Sequence, residues 1–381
     1  MFSYWEQQSF TNYHYVVVGG GLVGLSTALS LRELHPQASI LILERGVIPS
    51  GASTRNAGFA CFGSLTELLS DIATLGEEGV KQLVADRWQG LQMLRERIGD
   101  NLLGYQCHGG YELLFTENLE SLEALERVND ILHPVFNQQV FSTRSELIDQ
   151  FGFNQERVIG LVENPLEGQL HAGKMMRSLI NLATAQGIDY LTGATVKNFE
   201  ITPDGVCLNV SSVDPEPIRF KAPRVAVCTN AFTHPLLPKL DIQPGRGIVL
   251  ITKPMPNLKF KGVFHYKQGY YYFRNVGSRV LFGGGRDLDM KGEETTDFGI
   301  NDQILEHLQY ELSHLILPDQ DFEIDSIWSG IMAFGKDKTP LVGLHSPEVG
   351  YAVRLGGMGV ALGSLVGDRL ARLICLNDEN G

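Results

Sequence analysis

Three features are scarce in this sequence: paired cysteines, basic residues and long apolar runs. The five cysteines are widely spaced and include no C-x-x-C pair, which argues against a disulfide framework and against a zinc site. Lys and Arg number 31 against 44 Asp and Glu, a formal net charge of −13, so a nucleic-acid partner is not expected. No apolar run reaches the about 18 residues of a membrane-spanning helix, and the first residues lack the pattern of a signal peptide. We therefore expect a cytoplasmic protein without a transmembrane segment, and contact with a membrane surface stays open.

Internal repeats and low-complexity segments are also missing, which excludes solenoids and disordered tails. What remains is a chain of 381 residues, 43% of them hydrophobic, which is long for one domain and suits two. Its pattern changes along the chain from alternating strands and helices to a run that is mostly β. This change favours two domains of different architecture.

The strongest motif lies near the N-terminus, where an apolar strand runs into glycines and then into an apolar helix. The strand ends at Val18 and is followed by Gly19, Gly21 and Gly24. In a dinucleotide-binding βαβ unit, such glycines permit a tight turn, let the backbone approach a pyrophosphate and let the helix pack on the strand. Glu44 ends the second strand, where a carboxylate can accept hydrogen bonds from ribose hydroxyls. This order of elements predicts a dinucleotide site.

Apolar periodicity and turn residues predict the remaining elements. Helices are expected over residues 65–97, 119–132, 175–186, 300–317 and 360–376. Strands are expected over residues 189–191, 195–201, 224–228, 248–252, 270–274, 279–282 and 350–355, with turns at 203–205 and 275–277. A glycine turn over 356–359 separates the last strand from the last helix. It either directs a second helix N-terminus at the same cofactor or is only a structural turn.

In this order, the motifs resemble those of one family. They read VVVGGGLVG with ILILER, then GASTRNAG, VAVCTNAF, PGRG, YYYFR, LFGGG, WSGIMAFGKDKTPLVG and VRLGGMGVALGSLVGDRLARL. Over nearly its whole length the chain resembles the FAD-dependent amine and amino-acid oxidoreductases of the D-amino acid oxidase superfamily, including glycine oxidase, sarcosine oxidase and gamma-glutamylputrescine oxidoreductase. The resemblance implies an α/β and α+β protein, with a Rossmann-like FAD-binding domain of the GR2 type and a second, antiparallel-sheet substrate domain. The FAD-binding domain would comprise residues 1–85, 155–235 and 325–381, and the substrate domain residues 86–154 and 236–324.

The resemblance also implies which residues hold FAD. The ADP half would be held by Gly19, Gly21, Gly24, Glu44 and Arg45, with Val196 near the adenine. The pyrophosphate and isoalloxazine would lie along Ser53, Thr54, Arg55 and Asn56, and the strand before Asn230 would approach the cofactor. The N1–C2 edge of the flavin, where negative charge accumulates on reduction, would face backbone N–H groups of Gly357, Met358, Gly359 and Val360.

The reaction implied is the oxidation of a C–N bond of a small amine or amino acid to an imine, which water hydrolyses. A hydride moves from the substrate to flavin N5, so no dedicated general base is required. The candidates for the substrate side are Tyr271, Arg55 and Met332. Tyr271 matches the family's Tyr-x-x-Pro position, although the surrounding aromatic run can also be read as sheet packing. Oxygen or a quinone would accept the electrons, and the oligomeric state stays open.

Two positions depart from the family in a way that bears on the substrate. Glycine oxidase-like members have a carboxylate-binding arginine where Met332 stands, and sarcosine oxidase-like members have a lysine where Ala361 stands. A buried substrate carboxylate without a cation would be costly, so either the substrate has no α-carboxylate or another cation serves. The candidates for that cation are Arg274, Arg286, Lys336 and Arg354.

Two further departures bear on the cofactor. Ile331 stands where a cysteine would carry a covalent flavin, and the loop over residues 51–58 has no histidine, so we expect noncovalent FAD. Leu281 stands near the position of the oxygen-activating lysine of sarcosine oxidases, so a dehydrogenase remains possible. Two alternatives stay open: an FAD enzyme that oxidises a 2-hydroxy acid or polyol phosphate, and a flavoprotein without turnover.

Overall fold

The computed structural model describes residues 3–211 and 217–376. Its strands are β1 (Tyr15–Val18), β2 (Ile40–Leu43), β3 (Phe59–Ala60), β4 (Gly110–Leu114), β5 (Ser142–Thr143), β6 (Gly160–Asn164), β7 (Gly168–Gln169), β8 (Asp189–Leu191), β9 (Val196–Thr202), β10 (Gly205–Val210), β11 (Ile218–Ala222), β12 (Arg224–Val227), β13 (Gln243–Thr252), β14 (Val263–Tyr266), β15 (Tyr271–Val276), β16 (Arg279–Gly284), β17 (Ile324–Phe334), β18 (Leu341–Ser346) and β19 (Val349–Val353). Its helices are α1 (Tyr4–Phe10), α2 (Leu22–Leu34), α3 (Ala52–Arg55), α4 (Leu65–Ile98), α5 (Asp100–Leu103), α6 (Leu125–Phe136), α7 (Leu147–Phe151), α8 (Ala172–Ala185), α9 (Asp302–Glu311) and α10 (Gly359–Leu376). Turns of 3-10 helix cover Thr116–Ala124, Asn230–Phe232 and Arg286–Leu288, and a π-helical turn covers Leu312–Ile316.

The first sheet is built on the predicted βαβ unit. Within the described ranges it has six strands in the order β18-β19-β12-β1-β2-β8. β1 lies between β12 and β2 and runs parallel to both, and all residues of β1 and β2 are buried, as in a parallel sheet covered on both faces. α2 and α10 pack together at Gly363 and Gly367, where a Cβ would come within 2.7 Å of Leu22 and Ser26. The two helices that follow the glycine turns therefore lie in close contact.

The second sheet has eight strands among the described residues, in the order β17-β13-β16-β15-β14-β4-β6-β5, antiparallel except between β14 and β4. One face is closed by α9 and by aromatic rings, with Phe264 and Phe273 stacked at 4.8 Å between ring centroids. The other face turns toward the loop that follows β2, through a small cluster that contains Ala57, Val249 and Trp328. The sheet therefore has one core face and one face toward the first sheet.

Arg274 of β15 joins the two sheets. Its guanidinium donates hydrogen bonds to the carbonyl oxygen of Ala57 at 2.5 Å and to that of Leu170 at 3.1 Å. Both carbonyls belong to segments beside the first sheet. Burial lowers the pKa of Arg274 to about 10. Because the buried Arg274 guanidinium donates hydrogen bonds to backbone carbonyls beside the first sheet, it fixes the distance between the two sheets.

A second charged link joins α4 to the loop after β17. Glu67 pairs with Arg87 at 3.3 Å and with Lys338 at 3.1 Å, and Lys338 also reaches Asp71 at 2.7 Å. Burial alone would raise the pKa of Glu67, but these two cations outweigh it and hold that pKa below its usual value. The loop after β17 is therefore tied to the longest helix by a paired, mostly buried carboxylate.

The structure confirms the predicted mixed architecture, with a parallel-strand sheet and a second, antiparallel one. The helix predicted over 65–97 is α4, which is interrupted by a non-helical residue, Gly76. The helix predicted over 119–132 begins as a 3-10 turn and continues as α6. No helix in the described ranges is long and apolar enough to span a membrane.

The predicted domain boundaries differ from the sheets in two places. β6 pairs with β4, and β17 pairs with β13, so both strands belong to the second sheet. The sequence-based boundaries had assigned residues 155–235 and 325–381 to the FAD-binding domain. The pairing partner of a strand lies far away in the sequence, so the pattern of residues within β6 or β17 cannot show which sheet the strand joins.

Candidate functional site

The three motif glycines make a close-packed turn at the end of β1. Gly19 has a φ of +108°, and a Cβ on it would lie 2.6 Å from the carbonyl oxygen of Cys228. A Cβ on Gly24 would overlap the carbonyl oxygen of Gly19, and one on Gly21 would lie 2.9 Å from Ser53 Oγ. Only glycine fits at these positions, so the backbone itself forms the surface before α2.

Glu44 closes this turn from the end of β2. Its carboxylate accepts hydrogen bonds from the backbone N–H of Gly20 at 3.0 Å and of Gly46 at 2.9 Å. The Tyr190 hydroxyl donates to the Gly20 carbonyl oxygen at 3.0 Å, and burial followed by the Glu44 charge raises the pKa of Tyr190. The carboxylate is thus held beside the glycine turn, as the sequence predicted.

Arg45 and Val196 lie on either side of this acidic residue. The Arg45 guanidinium lies 3.6 Å from the centroid of the Phe232 ring, and burial lowers the pKa of Arg45. Val196 begins β9, two residues after Ala194, whose N–H donates to the Glu44 carbonyl oxygen at 2.9 Å. Both predicted residues are therefore near the Glu44 end of the site.

The loop after β2 is folded on itself by its own polar side chains. The Thr54 hydroxyl donates to the carbonyl oxygen of Pro49 at 2.8 Å. The Asn56 amide donates to the Ser53 carbonyl oxygen at 2.8 Å and accepts from the N–H of Gly58 at 2.8 Å. Ser53 Oγ in turn accepts from the N–H of Leu22, the first residue of α2, at 2.9 Å. The loop is thereby attached to the start of the helix.

Arg55 attaches the same loop to the second sheet. Its Nε donates to the carbonyl oxygen of Ser50 at 2.9 Å and its Nη1 to that of Ser329 at 2.8 Å. The Trp328 indole N–H donates back to the Arg55 carbonyl oxygen at 2.9 Å, and the guanidinium lies 4.2 Å from the ring centroid of Phe298. Arg55 is therefore a fixed element between loop and sheet.

The second glycine turn lies before α10. Gly356 and Gly357 have φ values of +56° and +83°, which favour glycine. Asn230, at the end of β12, accepts a hydrogen bond from the N–H of Arg354 at 3.1 Å, and the N–H of Met358 donates to the Leu355 carbonyl oxygen at 2.9 Å. The end of β12 and the turn before α10 are thereby fixed together.

The segments around these turns leave room for a group of the predicted kind. A Cβ on Gly51, Gly356 or Gly359 would meet nothing within 4 Å, so the backbone at these places borders open space. Gly21 and Gly51 are the N-cap residues of α2 and α3 and have no side chain with which to cap them. The Leu22 N–H is bonded to Ser53 Oγ, so the N–H groups that follow it in α2 and those at the start of α3 are the ones that suit the phosphates of a dinucleotide.

Met332 of the second sheet lies opposite the second glycine turn, and Tyr272 lies near Met332 over Gly247. Met332 Sδ is 3.6 Å from the position of a Cβ on Gly357. Met332 Cε and Tyr272 Oη are 2.9 and 3.9 Å from the position of a Cβ on Gly247. The side chain of Arg55 packs on Gly330, next to Gly247 in the β13–β17 pairing. Of the predicted substrate-side residues, Met332 and Arg55 are therefore brought together.

A family model described as FAD dependent oxidoreductase matches residues 14–373. The chain belongs to this family. It is an enzyme, and FAD is its cofactor.

Relatives and solved structures cover this FAD-dependent oxidoreductase almost end to end. Glycine oxidase of Geobacillus kaustophilus is 25% identical over 370 residues, which are 95% of this chain and 93% of that protein. Gamma-glutamylputrescine oxidoreductase of Escherichia coli is 23% identical over 383 residues, 94% of this chain and 82% of that protein. The structure of L-proline dehydrogenase from P. horikoshii has a TM-score of 0.77 at 18% identity, covering 96% of this chain and 93% of that one. At that identity, the structural likeness shows a shared fold.

The structure does not place Tyr271 in the FAD-facing group. Its ring is fully buried on the core face of the second sheet, stacked on Tyr266 at 4.7 Å between centroids and edge-on to His307. The neighbouring residue, Tyr272, lies on the opposite face, and its hydroxyl makes no hydrogen bond to a described residue. Successive side chains of a strand point to opposite faces, so Tyr272, and not Tyr271, lies on the face of the sheet that carries Met332. Burial raises the pKa of Tyr272 to about 12.

Proposed function

We propose that this FAD-dependent oxidoreductase oxidises a C–N bond of a small amine or amino acid to an imine, which water then hydrolyses. The observation that carries the proposal is the placement of Met332, which lies against the Gly357 turn at one end and meets the Tyr272 hydroxyl over Gly247 at the other. An apolar side chain and a hydroxyl therefore lie beside the turn predicted to contact the flavin. Oxidation of an amine by hydride removal requires no base, and these groups are sufficient to bind and orient a small amine or amino acid there.

The relatives support the same class of substrate. Glycine oxidase, gamma-glutamylputrescine oxidoreductase and L-proline dehydrogenase are each named for a molecule that carries an amine or amino-acid nitrogen. Their chains align with this one over more than four fifths of their length. A shared substrate class is therefore the simplest extension of the shared family.

The residues that would hold FAD are those that the sequence predicted. The glycine turn with Glu44 and Arg45 would bind the ADP half, and the loop 53–56 would lie along the pyrophosphate. FAD, when bound, supplies the acceptor for a hydride from the substrate. The start of α10 follows the Gly357 turn and directs partial positive charge at the site, which favours the negative charge of a reduced cofactor.

The residues on the second sheet would bind and orient the substrate. The Tyr272 hydroxyl can donate to a substrate oxygen or accept from an amine N–H. Met332 forms an apolar wall that excludes water from the reacting carbon. Arg55, held by carbonyls on both sides of the interface, fixes the loop against the sheet and keeps the two walls at a constant separation.

Anaerobic visible absorbance of the purified holoenzyme tests the proposal. The compounds are used in matched pairs, such as glycine with glycolate and putrescine with butanediol. In each pair the first compound carries an amine nitrogen on the reacting carbon, and the second carries a hydroxyl oxygen. We expect an amine member to bleach the flavin and its oxygen counterpart to leave the spectrum unchanged. Bleaching by hydroxy acids or polyol phosphates alone would reject the proposal. The rate of reoxidation, on admitting air or adding a quinone, then identifies the electron acceptor.

Noncovalent attachment of FAD is a separate part of the proposal. Heat or acid denaturation followed by ultrafiltration should release the yellow colour into the filtrate. Flavin that stays with the precipitated protein would contradict noncovalent binding. This measurement does not depend on the identity of the substrate.

A further inference from the structure

A cation without an acidic partner stands beside the substrate side of the site. Arg286 lies two residues after the end of β16 and begins a 3-10 turn. Its guanidinium carbon lies 4.0 Å from the centroid of the Phe334 ring, and its Nη1 would lie 2.9 Å from a Cβ on Gly245. No acidic side chain of the described residues forms an ion pair with it, although burial lowers the pKa of Arg286. Glu293 and Glu294 act on it from a distance, and the Glu293 carboxylate is already paired with Arg246, so this half-buried guanidinium has no anion in direct contact to offset its desolvation.

Arg286 lies on the face of the sheet that carries the predicted substrate residues. Gly245 of β13 pairs with Met332 of β17, so the two residues share one face of the sheet. Gly247, two residues further along the same face, lies beneath Met332 Cε and Tyr272 Oη. The guanidinium therefore reaches across β13 to the strand position next to Met332.

The other cations that the sequence offered are engaged elsewhere or lie at the surface. Arg354 forms ion pairs with Asp241 and Asp337, both at 2.6 Å, and is almost completely buried. Arg274 donates to backbone carbonyls at the interface between the sheets. Lys336 is exposed in the loop after β17. Among these candidates, Arg286 combines partial burial, a free charge and a place beside Met332.

We propose that Arg286 binds a carboxylate of the substrate, a role that the family resemblance gives to an arginine at the position of Met332. The inference rests on the proposed function and narrows it to amino acids and N-substituted amino acids, rather than amines without an acid group. A guanidinium offers a carboxylate two parallel N–H donors. Gly245 lets the guanidinium lie flat across β13, and the Phe334 ring supports its plane. The carboxylate provides the counter-ion that Arg286 otherwise lacks.

Acetate binding to the oxidised holoenzyme tests the role of Arg286 without turnover. Acetate is the probe, acetamide is its uncharged control, and perturbation of the visible flavin spectrum reports occupancy. Loss of a charge-assisted, two-donor contact should weaken acetate binding about tenfold or more in Arg286→Met. Arg286→Lys should give an intermediate loss, since the charge remains and the planar pair of donors is lost. Lys336→Met removes an exposed cation from a nearby loop and should leave acetate affinity within about twofold.

Gly245→Ala provides a second variant that keeps the arginine. The added methyl group would displace Arg286 or the Phe334 ring, so acetate should again bind more weakly while the net charge is unchanged. Unaltered acetate affinity in Arg286→Met, in a protein that an amine still reduces, would overturn the assignment and leave the proposed function standing. Acetate binding that needs Arg286, in a protein that no amine or amino acid reduces, would support the anion site and reject the proposed function.

Discussion

Adjacent tyrosines on opposite faces of β15 provide a matched pair of variants. In Tyr272→Phe the hydroxyl beside Met332 is removed, and in Tyr271→Phe an equivalent hydroxyl is removed from the core face. A neutral hydrogen bond contributes about 0.5–1.5 kcal/mol net, and one to a charged group about 1.5–3 kcal/mol. At about 1.4 kcal/mol per factor of ten, Tyr272→Phe should lower kcat/KM by about 2- to 13-fold for a neutral contact, and by about 13- to 160-fold for a carboxylate.

The Tyr271→Phe variant is the control for this prediction. The Tyr271 hydroxyl is buried near Asp287 and makes at most a weak hydrogen bond to it, so its removal should change the free energy of unfolding by no more than about 1.5 kcal/mol. Activity should stay within about twofold of the wild type, since the ring and its stacking remain. The rate of anaerobic flavin reduction and the thermal unfolding curve measure the two effects. A larger loss of activity in Tyr271→Phe than in Tyr272→Phe would refute the assignment of faces.

The protonation state of Tyr272 adds a pH test. Because burial raises the pKa of Tyr272 to about 12, the hydroxyl stays protonated at neutral and mildly alkaline pH. The pH profile of kcat/KM for the wild type should therefore show no ionisation of Tyr272 below about pH 10, which is the ordinary pKa of a tyrosine. A break that lies below that pH and disappears in Tyr272→Phe would contradict this account.

Three further substitutions test the cofactor site and the charged links. Gly24→Ala puts a methyl group on the Gly19 carbonyl oxygen, so the variant should purify with little or no FAD, as measured by the ratio of visible to ultraviolet absorbance. Arg354→Met removes the charged hydrogen bonds of the buried guanidinium, and because the carboxylates of Asp241 and Asp337 are partly exposed to water, the free energy of unfolding should fall by about 1.5–3 kcal/mol, as measured with urea. Glu67 has a lowered pKa in the folded protein, so its stabilisation is complete above the unfolded value of about 4.3 and is lost as the pH falls below it. The difference in Tm between wild type and Glu67→Gln should therefore be largest near neutral pH and shrink in acid.

The cofactor half of the site could be predicted from sequence because its signals are local. Gly24 packs on Gly19 only five residues away, and although Gly19 and Gly21 contact Cys228 and Ser53 further along the chain, the order of strand, turn and helix is visible in the local sequence. Glu44 follows from the same unit, since β2 pairs directly with β1. Close packing at such a turn allows few residues other than glycine, so the glycine motif in the sequence is a specific sign of a dinucleotide-binding turn.

The substrate half could be predicted only in part because its signals are non-local. In the run from Tyr270 to Phe273 every residue is aromatic, so alternation between polar and apolar residues does not show which ring faces the core. A shift of one residue exchanges the faces of a strand, so the resemblance alone does not decide between Tyr271, on the core face, and Tyr272, on the face of Met332. The sequence also could not single out Arg286 among the candidate cations. That choice depends on which arginines form ion pairs, and the carboxylates that pair with Arg246 and Arg354 lie in distant loops.

Arg274 has a consequence for how the substrate could enter. Its bonds to carbonyls beside the first sheet oppose a hinge between the two halves, so opening is left to shorter segments at the rim. The stretch over residues 286–300 is the natural candidate, since it carries Arg286 at one end and places Phe298 on Arg55 near the other. Redesign of substrate access can therefore begin with about fifteen consecutive residues, while Tyr272, Met332 and the cofactor-binding half are left as they are.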